Sequence, residues 1–299
     1  MTPTATPGGH SWRINAMLLA IMVAWALNIT AVKALTSVLD EIWVATLRMV
    51  VASAVLTVCL LARDRRLPRF DRRQLAALGF AGFLMVYANQ LLFSRGMHLS
   101  TATSAALIMA LSPSISVAAA AVLFRERIPA LRVLGIFLGF AGVALVIFNR
   151  RDASEVAAGL GEVVLLMGLI TFVFGGALVQ RLAKRLDSLV IGWAIYVGGT
   201  AMLVVHALAT QDVRALPPEL LDGRTLLLVL YSGVLGTAVS NVAWYQAIAT
   251  VGMAKAALFF YWLPIFGIAF AAAFLGEALS VWHIVALAAV IIGTRLGTR

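Results

Sequence analysis

Two stretches decide the fold: AALIMALSPSISVAAAAVLFRE, residues 105–126, and AALFFYWLPIFGIAFAAAFLGE, residues 256–277. They align without a gap at an offset of 151 residues, as the distance from Pro113 to Pro264 shows. Proline and glutamate are costly inside apolar helices, so their matches carry more weight than the shared Ala and Leu. The same offset relates a wider set of pairs: Glu126 and Glu277, Gly82 and Gly233, and Gly142 and Gly293. The chain therefore contains an internal repeat.

Composition indicates a membrane protein. Of the 299 residues, 62% are hydrophobic and 12% are charged, and the mean hydropathy is +0.99. A soluble domain carries about 25% charged residues, and a helix needs about 20 apolar residues to cross the hydrocarbon core. We therefore predict an all-α membrane protein with ten transmembrane helices, at residues 13–32, 42–62, 74–94, 99–122, 131–148, 159–181, 188–209, 224–247, 253–274 and 280–296.

The repeat divides these helices into two sets of five. The predicted units are residues 13–148 and 159–296, within one membrane domain. Because five is an odd number of crossings, the second unit runs through the bilayer in the opposite sense, and the repeats are inverted. This arrangement is typical of secondary transporters, whose substrate site lies between the halves near the bilayer midplane.

The net charge of +10 predicts the orientation, because Lys and Arg are retained in cytoplasmic loops. With both termini in the cytoplasm, 16 of the 23 basic residues fall in cytoplasmic segments and 6 in exterior ones. The remaining one is Arg48, inside the second helix. We expect cytoplasmic termini, no nucleic-acid partner and, because Arg far outnumbers Lys, the inner membrane of a bacterium with a GC-rich genome.

The N-terminal segment and the cysteine content bear on signal-peptide cleavage, disulfides and metal binding. Arg13 and the apolar run after it superficially resemble a signal peptide. Cleavage would leave nine helices and destroy the symmetry, so we expect the segment to be retained. Cys59, the single cysteine, is expected to pack in the core. Without a cysteine framework or a His cluster we predict no disulfide, no metal and no other cofactor.

Polar and aromatic residues recur on single faces of the predicted helices. Gln90 and Asn241 are equivalent at the offset of 151, and amides in hydrocarbon are costly without partners, so both should point inward. Tyr87, Gln90 and Ser94 share a face through i, i+3, i+7 spacing. The expected substrate-binding residues are Trp25, Asn28, Tyr87, Gln90, Ser94, Ser112, Asn241, Trp244, Tyr245, Tyr261 and Trp262. Interhelical hydrogen bonds and lipid-facing packing are the alternatives.

Two symmetric pairs are candidates for conformational change. Pro113 and Pro264 lie within the fourth and ninth helices and should kink them. They are either hinges beside a central cavity or tolerated kinks. Glu126 and Glu277 end the same two helices. Each is expected to cap the following helix or pair with a cation, or to gate one end of the molecule in turn.

Arg48 lies about six residues into the second helix. It could extend outward towards Asp40 or Glu41, or it could attract a substrate carboxylate. No Asp or Glu lies at the centre of a predicted helix, which favours facilitated export over proton coupling. Coupling stays open through three peripheral acids: Glu126, Glu162 and Glu277.

These features resemble the drug/metabolite transporter superfamily, in particular proteins made of two EamA-type units. The opening of such a unit is similar to Trp25-Ala-Leu-Asn28, Lys33 and Arg48. Its end is similar to Ala105-Ala106-Leu107, Pro113, Phe124-Arg-Glu126, Gly135, Gly139 and Gly142, and to Ala256-Ala257-Leu258, Pro264, Leu275-Gly-Glu277 and Gly293. The second unit departs from the pattern around Phe174-Gly175-Gly176, where no Trp and Asn match. Among subgroups the chain is most similar to exporters of aromatic and neutral amino acids.

The resemblance implies a secondary transporter that exports small metabolites, above all neutral and aromatic amino acids, by alternating access. The site would lie between helices one, three, four, six, eight and nine. An exporter of lipophilic cationic drugs or other metabolites is the alternative. An exporter of cationic drugs would be expected to keep a carboxylate in the cavity. An enzyme is disfavoured because no HExxH pattern or nucleophile–base pair is evident.

The expected partners are therefore a small-molecule substrate and the lipid bilayer. Gly135, Gly139 and Gly142 form a ridge of small residues on the fifth helix. The ridge predicts close packing within a monomer, with a weak homodimer as the alternative.

Overall fold

The computed structural model describes residues 7–64, 68–124, 130–148, 159–211 and 218–297. These ranges form ten main helices without a β-strand. Helices 1 to 5 are Pro7–Thr36, Glu41–Asp64, Arg72–Leu99, Ala102–Met109 continued by Ser112–Phe124, and Ala130–Phe148. Helices 6 to 8 are Leu160–Leu182, Ser188–Thr210 and Gly223–Val251, helix 9 joins Met253–Ala257, Leu258–Trp262 and Leu263–Leu275, and helix 10 is Val281–Gly297.

Length and composition fit these helices to a bilayer. Eight of the described helices are long and apolar enough to cross a membrane, and helices 5 and 10 contain the shorter apolar segments Val133–Gly142 and Val281–Gly293. Large apolar side chains cover the outside of the bundle, Phe137 with 70% and Ile284 with 68% of their surface exposed. In water such a surface would aggregate, whereas lipid solvates it. The predicted ten-helix, all-α membrane fold is confirmed.

Short polar caps start several helices. The side chain of Asp71 accepts from the backbone N–H of Gln74 in a capping box, and Thr101 caps helix 4 through Ser104 N–H. Asp187 and Asp222 cap helices 7 and 8 in the same way. Each side chain satisfies a backbone donor that the first helical turn leaves unpaired.

Packing between helices follows a pseudo-two-fold axis. Helices 5 and 10, helices 4 and 9, and helices 2 and 7 each pack against their own counterpart. Helix 3 packs against helices 6 and 7, and helix 8 correspondingly against helices 1 and 2. The two repeats therefore interlock and form one bundle.

The glycine ridge is used inside this bundle. A Cβ added at Gly293 would lie 2.5 Å from the backbone N of Gly139 and 2.6 Å from the backbone O of Gly135. The predicted intramolecular packing of the ridge is thus confirmed. The prediction for Cys59 is wrong, because its side chain is exposed on the outside of the bundle.

Candidate functional site

A cavity of about 610 Å³, part of it open to the surroundings, lies between the two repeats. Helices 1, 2, 3, 4, 6, 7, 8 and 9 contribute to its wall. Small-molecule sites are usually clefts with apolar and aromatic walls and a few polar groups, and the wall of this cavity has that composition. Its depth in helices 1 and 8, at Asn28 and Asn241, places it near the middle of the bundle.

Two π-helical turns shape this wall. They span Phe83–Ala88 in helix 3 and Val234–Val239 in helix 8, and the offset of 151 residues relates them end to end. Gln90 and Asn241 line the cavity just after these turns. A π turn inserts one residue into a helix and occurs frequently at functional sites. The repeat itself was visible in the sequence, but no residue type signalled these turns.

Helices 4 and 9 are interrupted at equivalent places. Helix 4 breaks in a turn at Ala110 and Leu111, directly before the segment that carries Pro113. In helix 9 a 3₁₀ segment, Leu258–Trp262, precedes Pro264, which lies in the first turn of the next segment. These irregularities agree with the kinks predicted from the two prolines.

The polar part of the wall joins four helices through Arg48 and Ser232. Its Nε donates to Ser232 Oγ on helix 8, and Ser232 Oγ donates to Asn28 Oδ1 on helix 1. Its Nη1 donates to Gln90 Oε1 on helix 3 at 3.3 Å. Only 1% of Arg48 is exposed. The expectation that Arg48 extends outward is therefore wrong.

The two acids expected as outward partners of Arg48 are occupied elsewhere. Glu41 Oε1 accepts from Arg95 Nη1, and Asp40 Oδ1 accepts from the backbone N–H of Ile42 at 2.8 Å. The side chain of Arg48 points into the bundle, where it donates hydrogen bonds to Ser232 and Gln90. Tyr196 lines the same cavity.

Two further amides complete the polar wall. Asn89 Nδ2 donates to the backbone O of Gly168 at 2.8 Å, while its Oδ1 accepts from Gln90 Nε2 at 2.8 Å. Asn241 Nδ2 donates to the backbone O of Thr237 at 2.9 Å. Amides can donate and accept, so this wall can meet either charge of a zwitterion.

Aromatic rings form the other part of the wall. Trp25, Phe172 and Phe260 line the cavity, and the fully buried Trp244 packs behind them. The centroid of Trp25 lies 5.3 Å from that of Trp244 and 5.5 Å from that of Phe260. Trp244 and Phe260 meet edge to face at 5.4 Å. Such clusters bind apolar side chains and rings favourably. We call these four residues the ring cluster.

The structure brings four of the predicted substrate-binding residues to the cavity surface: Trp25, Asn28, Gln90 and Asn241. Trp244 lies behind the wall, and the fully buried Tyr245 approaches Met85 Sδ at 3.9 Å through its hydroxyl. Ser94 and Ser112 are fully buried, and within the described residues neither hydroxyl has a hydrogen-bond partner.

The remaining aromatic candidates lie away from the cavity. Tyr87 OH is 2.9 Å from His206 Nδ1, and its ring stacks on Phe83. The π turn ends at Ala88, between Tyr87 and Gln90, so the regular spacing used to place both on one face does not apply. Trp262 is 46% exposed and stacks on Phe266, and the half-buried Tyr261 is not part of the cavity wall.

Several wall residues were not predicted, among them Asn89, Phe172, Tyr196 and Gly236. Two more, Met109 and Phe260, differ by the repeat offset of 151 and line the cavity from helices 4 and 9. Their equivalence was a usable signal, since both precede the prolines. Asn89 gave none, because its role depends on the π turn before it.

Glu277 connects the repeats at one end of the bundle. We call the end at which helix 1 begins the proximal end, and the end at which it stops the distal end. At the distal end Glu277 accepts from the backbone N–H groups of Ala102 at 2.7 Å and Thr103 at 3.0 Å. It caps helix 4 of the other repeat, not the following helix 10 as expected. Glu126 lies outside the described residues.

A helical bundle of two inverted repeats around a central polar and aromatic cavity defines a multi-pass membrane transporter for a small molecule. The sequence comparisons make this assignment specific. The chain belongs to the EamA-like transporter family, whose family model matches residues 12–148 and 159–298. It is accordingly a transporter and not an enzyme.

Individual relatives agree with this class. The chain is 25% identical to the uncharacterized transporter YyaM of Bacillus subtilis, over 83% of this chain and 81% of that protein. It is 28% identical to a probable terminal-alkyne amino-acid exporter of Streptantibioticus cattleyicolor, over 87% and 84%. A solved crystal structure shares the fold with a TM-score of 0.68 at 16% identity, covering 95% of this chain and 96% of its own.

Proposed function

We propose that this transporter exports neutral and aromatic amino acids by alternating access through the central cavity. The observation that carries the proposal is the pairing of the ring cluster with an amide-lined wall in one cavity. The amides meet the charged ends of an amino acid, and the rings pack against its side chain. The similarity to a probable amino-acid exporter supports the same substrate class.

Within this proposal the substrate contacts Trp25, Asn28, Gln90 and Asn241, with Asn89, Phe172 and Phe260 added from the structure. Trp244 and Tyr245 hold the wall in shape from behind. An exporter of lipophilic cations is less well supported. Among the described residues of the cavity wall the one charged side chain is the cation Arg48, which would repel such a substrate.

Pro113, Pro264 and Glu277 supply the moving parts of the proposal. The interrupted helices 4 and 9 pivot next to the prolines, and the bonds from Glu277 to helix 4 close the distal end. Glu126 occupies the equivalent position in the first repeat and would act at the proximal end. Replacing Glu277 by Gln weakens the cap and is expected to shift the protein towards a distally open state.

The proximal end is proposed to face the cytoplasm of a bacterial cell, in the inner membrane, and the protein to work as a monomer. Exposed basic residues at that end include Arg69, Arg72, Arg73, Lys184 and Arg185. In a Cys59→Ser background, Leu221→Cys at the distal end should react with an impermeant maleimide on intact cells, and Lys184→Cys should not. The reverse pattern contradicts the orientation.

Counterflow in proteoliposomes tests the substrate class. Purified protein is reconstituted, preloaded with unlabelled amino acids, cationic dyes or nucleotide sugars, and the entry of a matching labelled tracer is followed. Accelerated exchange of aromatic and neutral amino acids is expected, reduced at least about tenfold by Asn241→Ala and little changed by Tyr87→Phe, since Tyr87 lies outside the wall. Exchange of cationic dyes alone would contradict the proposal, and a channel would show no saturable counterflow.

A further inference from the structure

Arg48 is a cation buried in the cavity wall beside neutral partners only. Its hydrogen bonds go to the hydroxyl of Ser232 and the amide of Gln90, and Tyr196 lines the cavity near it. No carboxylate occurs among the described residues of the wall. An uncompensated buried charge is expensive, so this position calls for an anion that the described protein does not provide.

A purely structural role does not explain the charge. Arg48 links helix 2 to helices 3 and 8, but a neutral donor could make the same two hydrogen bonds. A guanidinium offers five N–H donors in a planar fork that matches a carboxylate. Within the described residues, hydrogen bonds occupy Nε and one donor on Nη1. Donors therefore remain for a ligand in the cavity.

The surroundings of Arg48 set the direction in which such a ligand lies. Ser232 bridges Arg48 to Asn28. Trp25 precedes Asn28 by three residues on helix 1, about 4.5 Å along the axis, and begins the ring cluster. A carboxylate held by Arg48 thus leaves the rest of the ligand next to aromatic rings.

We infer that Arg48 binds the carboxylate of the substrate and makes the transporter select carboxylate-bearing substrates over the corresponding amines and amides. The inference rests on the proposed function for the identity of the site, and it adds the group that determines specificity. It also gives Ser232 and Gln90 a task, since their oxygens hold the guanidinium in position at the wall. They are positioning residues for Arg48.

The test is counterflow with four tracers: phenylalanine, phenylalaninamide, phenethylamine and 3-phenylpropionate. Wild-type protein should exchange phenylalanine at least tenfold faster than the amide and the amine. Arg48→Gln should bring this ratio close to one, and Arg48→Lys should keep a reduced preference. Gln90→Leu removes one group that positions the guanidinium but leaves the charge, so it should reduce the preference less than Arg48→Gln does, even if all rates fall.

The outcomes separate this inference from the proposed function. Exchange of 3-phenylpropionate without phenylalanine, lost in Arg48→Gln, supports carboxylate binding while contradicting amino-acid export. Three results would overturn the role of Arg48. They are equal exchange of phenylalanine and phenylalaninamide by the wild type, an unchanged ratio of these two rates in folded Arg48→Gln, and exchange of neither phenylalanine nor 3-phenylpropionate. If Arg48→Gln does not fold, the other two proteins decide. The wild type must prefer phenylalanine over the amide and the amine, and Arg48→Lys must show a smaller preference of the same kind.

Discussion

The two repeats have the same backbone plan but supply different chemistry to the cavity. Both carry a π turn at equivalent residues, and both interrupt the helix next to an equivalent proline. Polar side chains do not follow this symmetry. Ser232 of the second repeat corresponds to Ala81 of the first, and Gly236 to Met85. Asn28 and Arg48 come from the first repeat alone.

This difference separates two requirements of alternating access. Symmetric backbone lets the halves exchange conformations, so that the proximal and distal ends can open in turn. A substrate with a head and a tail must still bind in one orientation, and that needs an asymmetric wall. Substitutions at equivalent positions can therefore distinguish backbone roles from binding roles.

The largest expected effect is on the crossing of helices 5 and 10. Gly293→Ala places a methyl group against backbone atoms of Gly139 and Gly135, which cannot rotate away. At the equivalent Gly142 the nearest atom is the Cβ of Ala289 at 2.9 Å. Overpacking costs about 1–3 kcal/mol and occasionally more, so Gly293→Ala should lower the thermal unfolding midpoint more than Gly142→Ala. Equal midpoints would contradict this reading.

The next largest effect concerns the close approach of helices 1 and 8. A Cβ at Gly236 would lie 2.5 Å from Asn28 Oδ1 and 2.7 Å from its Cγ. Helices 6 and 3 form the equivalent crossing, and there a Cβ added at Gly175 would meet the flexible side chain of Met85. Gly236→Ala should reduce counterflow at least about tenfold by displacing Asn28, and Gly175→Ala should reduce it less. A larger loss in Gly175→Ala would contradict a binding role for the approach of Gly236 to Asn28.

A smaller effect is expected from the hydroxyl that bridges Arg48 and Asn28. Ser232→Ala removes a hydrogen bond to a charged group, worth about 1.5–3 kcal/mol, and should raise the half-saturation concentration about tenfold. Ala81→Ser, at the equivalent position, is the matched control and should change it less than about twofold, because its partner helix carries no buried cation. Similar changes in both variants would show that the asymmetry is not used for binding.

The smallest effect is at the surface. Arg63 Nη1 of the first repeat lies 2.8 Å from Asp187 Oδ1 of the second, at the proximal end. Partial burial opposes ionisation of Asp187, but the hydrogen bonds from Arg63 and from the backbone of Leu189 outweigh it, and its pKa lies below the usual value. Stability from this pair is present above about pH 4, the unfolded pKa, and is lost as the pH falls through the folded value.

Arg63→Ala should therefore cost about 0.2–1 kcal/mol at pH 7, as exposed pairs do. Thermal unfolding between pH 3 and pH 7 checks this, with Arg69→Ala as an exposed basic control on the same end. The difference between wild type and Arg63→Ala should shrink as the pH falls through the folded pKa of Asp187. A difference that grows with acid would contradict the assignment.

The sequence predicts the helices and the repeat better than it predicts the positions of individual side chains. Hydropathy and the repeat predict ten helices because a bilayer demands long apolar segments and the offset pairs them. The amides Gln90 and Asn241 were predicted because buried amides are costly. Tyr87 lies outside the cavity wall because regular helical spacing fails at the π turn, and Trp262 because aromatic residues suit lipid as well as ligand. The outward placement of Arg48 was wrong because its partners lie on helices 3 and 8, which the sequence of helix 2 does not reveal. Contacts between helices decide such cases.

The most direct test asks whether one cavity, built by both repeats, holds the substrate. In a Cys59→Ser background, Ile29→Cys and Thr237→Cys each place one thiol on the wall, one from each repeat. Leu221→Cys, 91% exposed and outside the cavity, is the control. Phenylalanine should slow thiol labelling at Ile29→Cys and Thr237→Cys with the same half-maximal concentration and leave Leu221→Cys unchanged. Lack of protection at both wall positions would contradict a shared site. Half-maximal concentrations that differ between the two wall positions would contradict it as well.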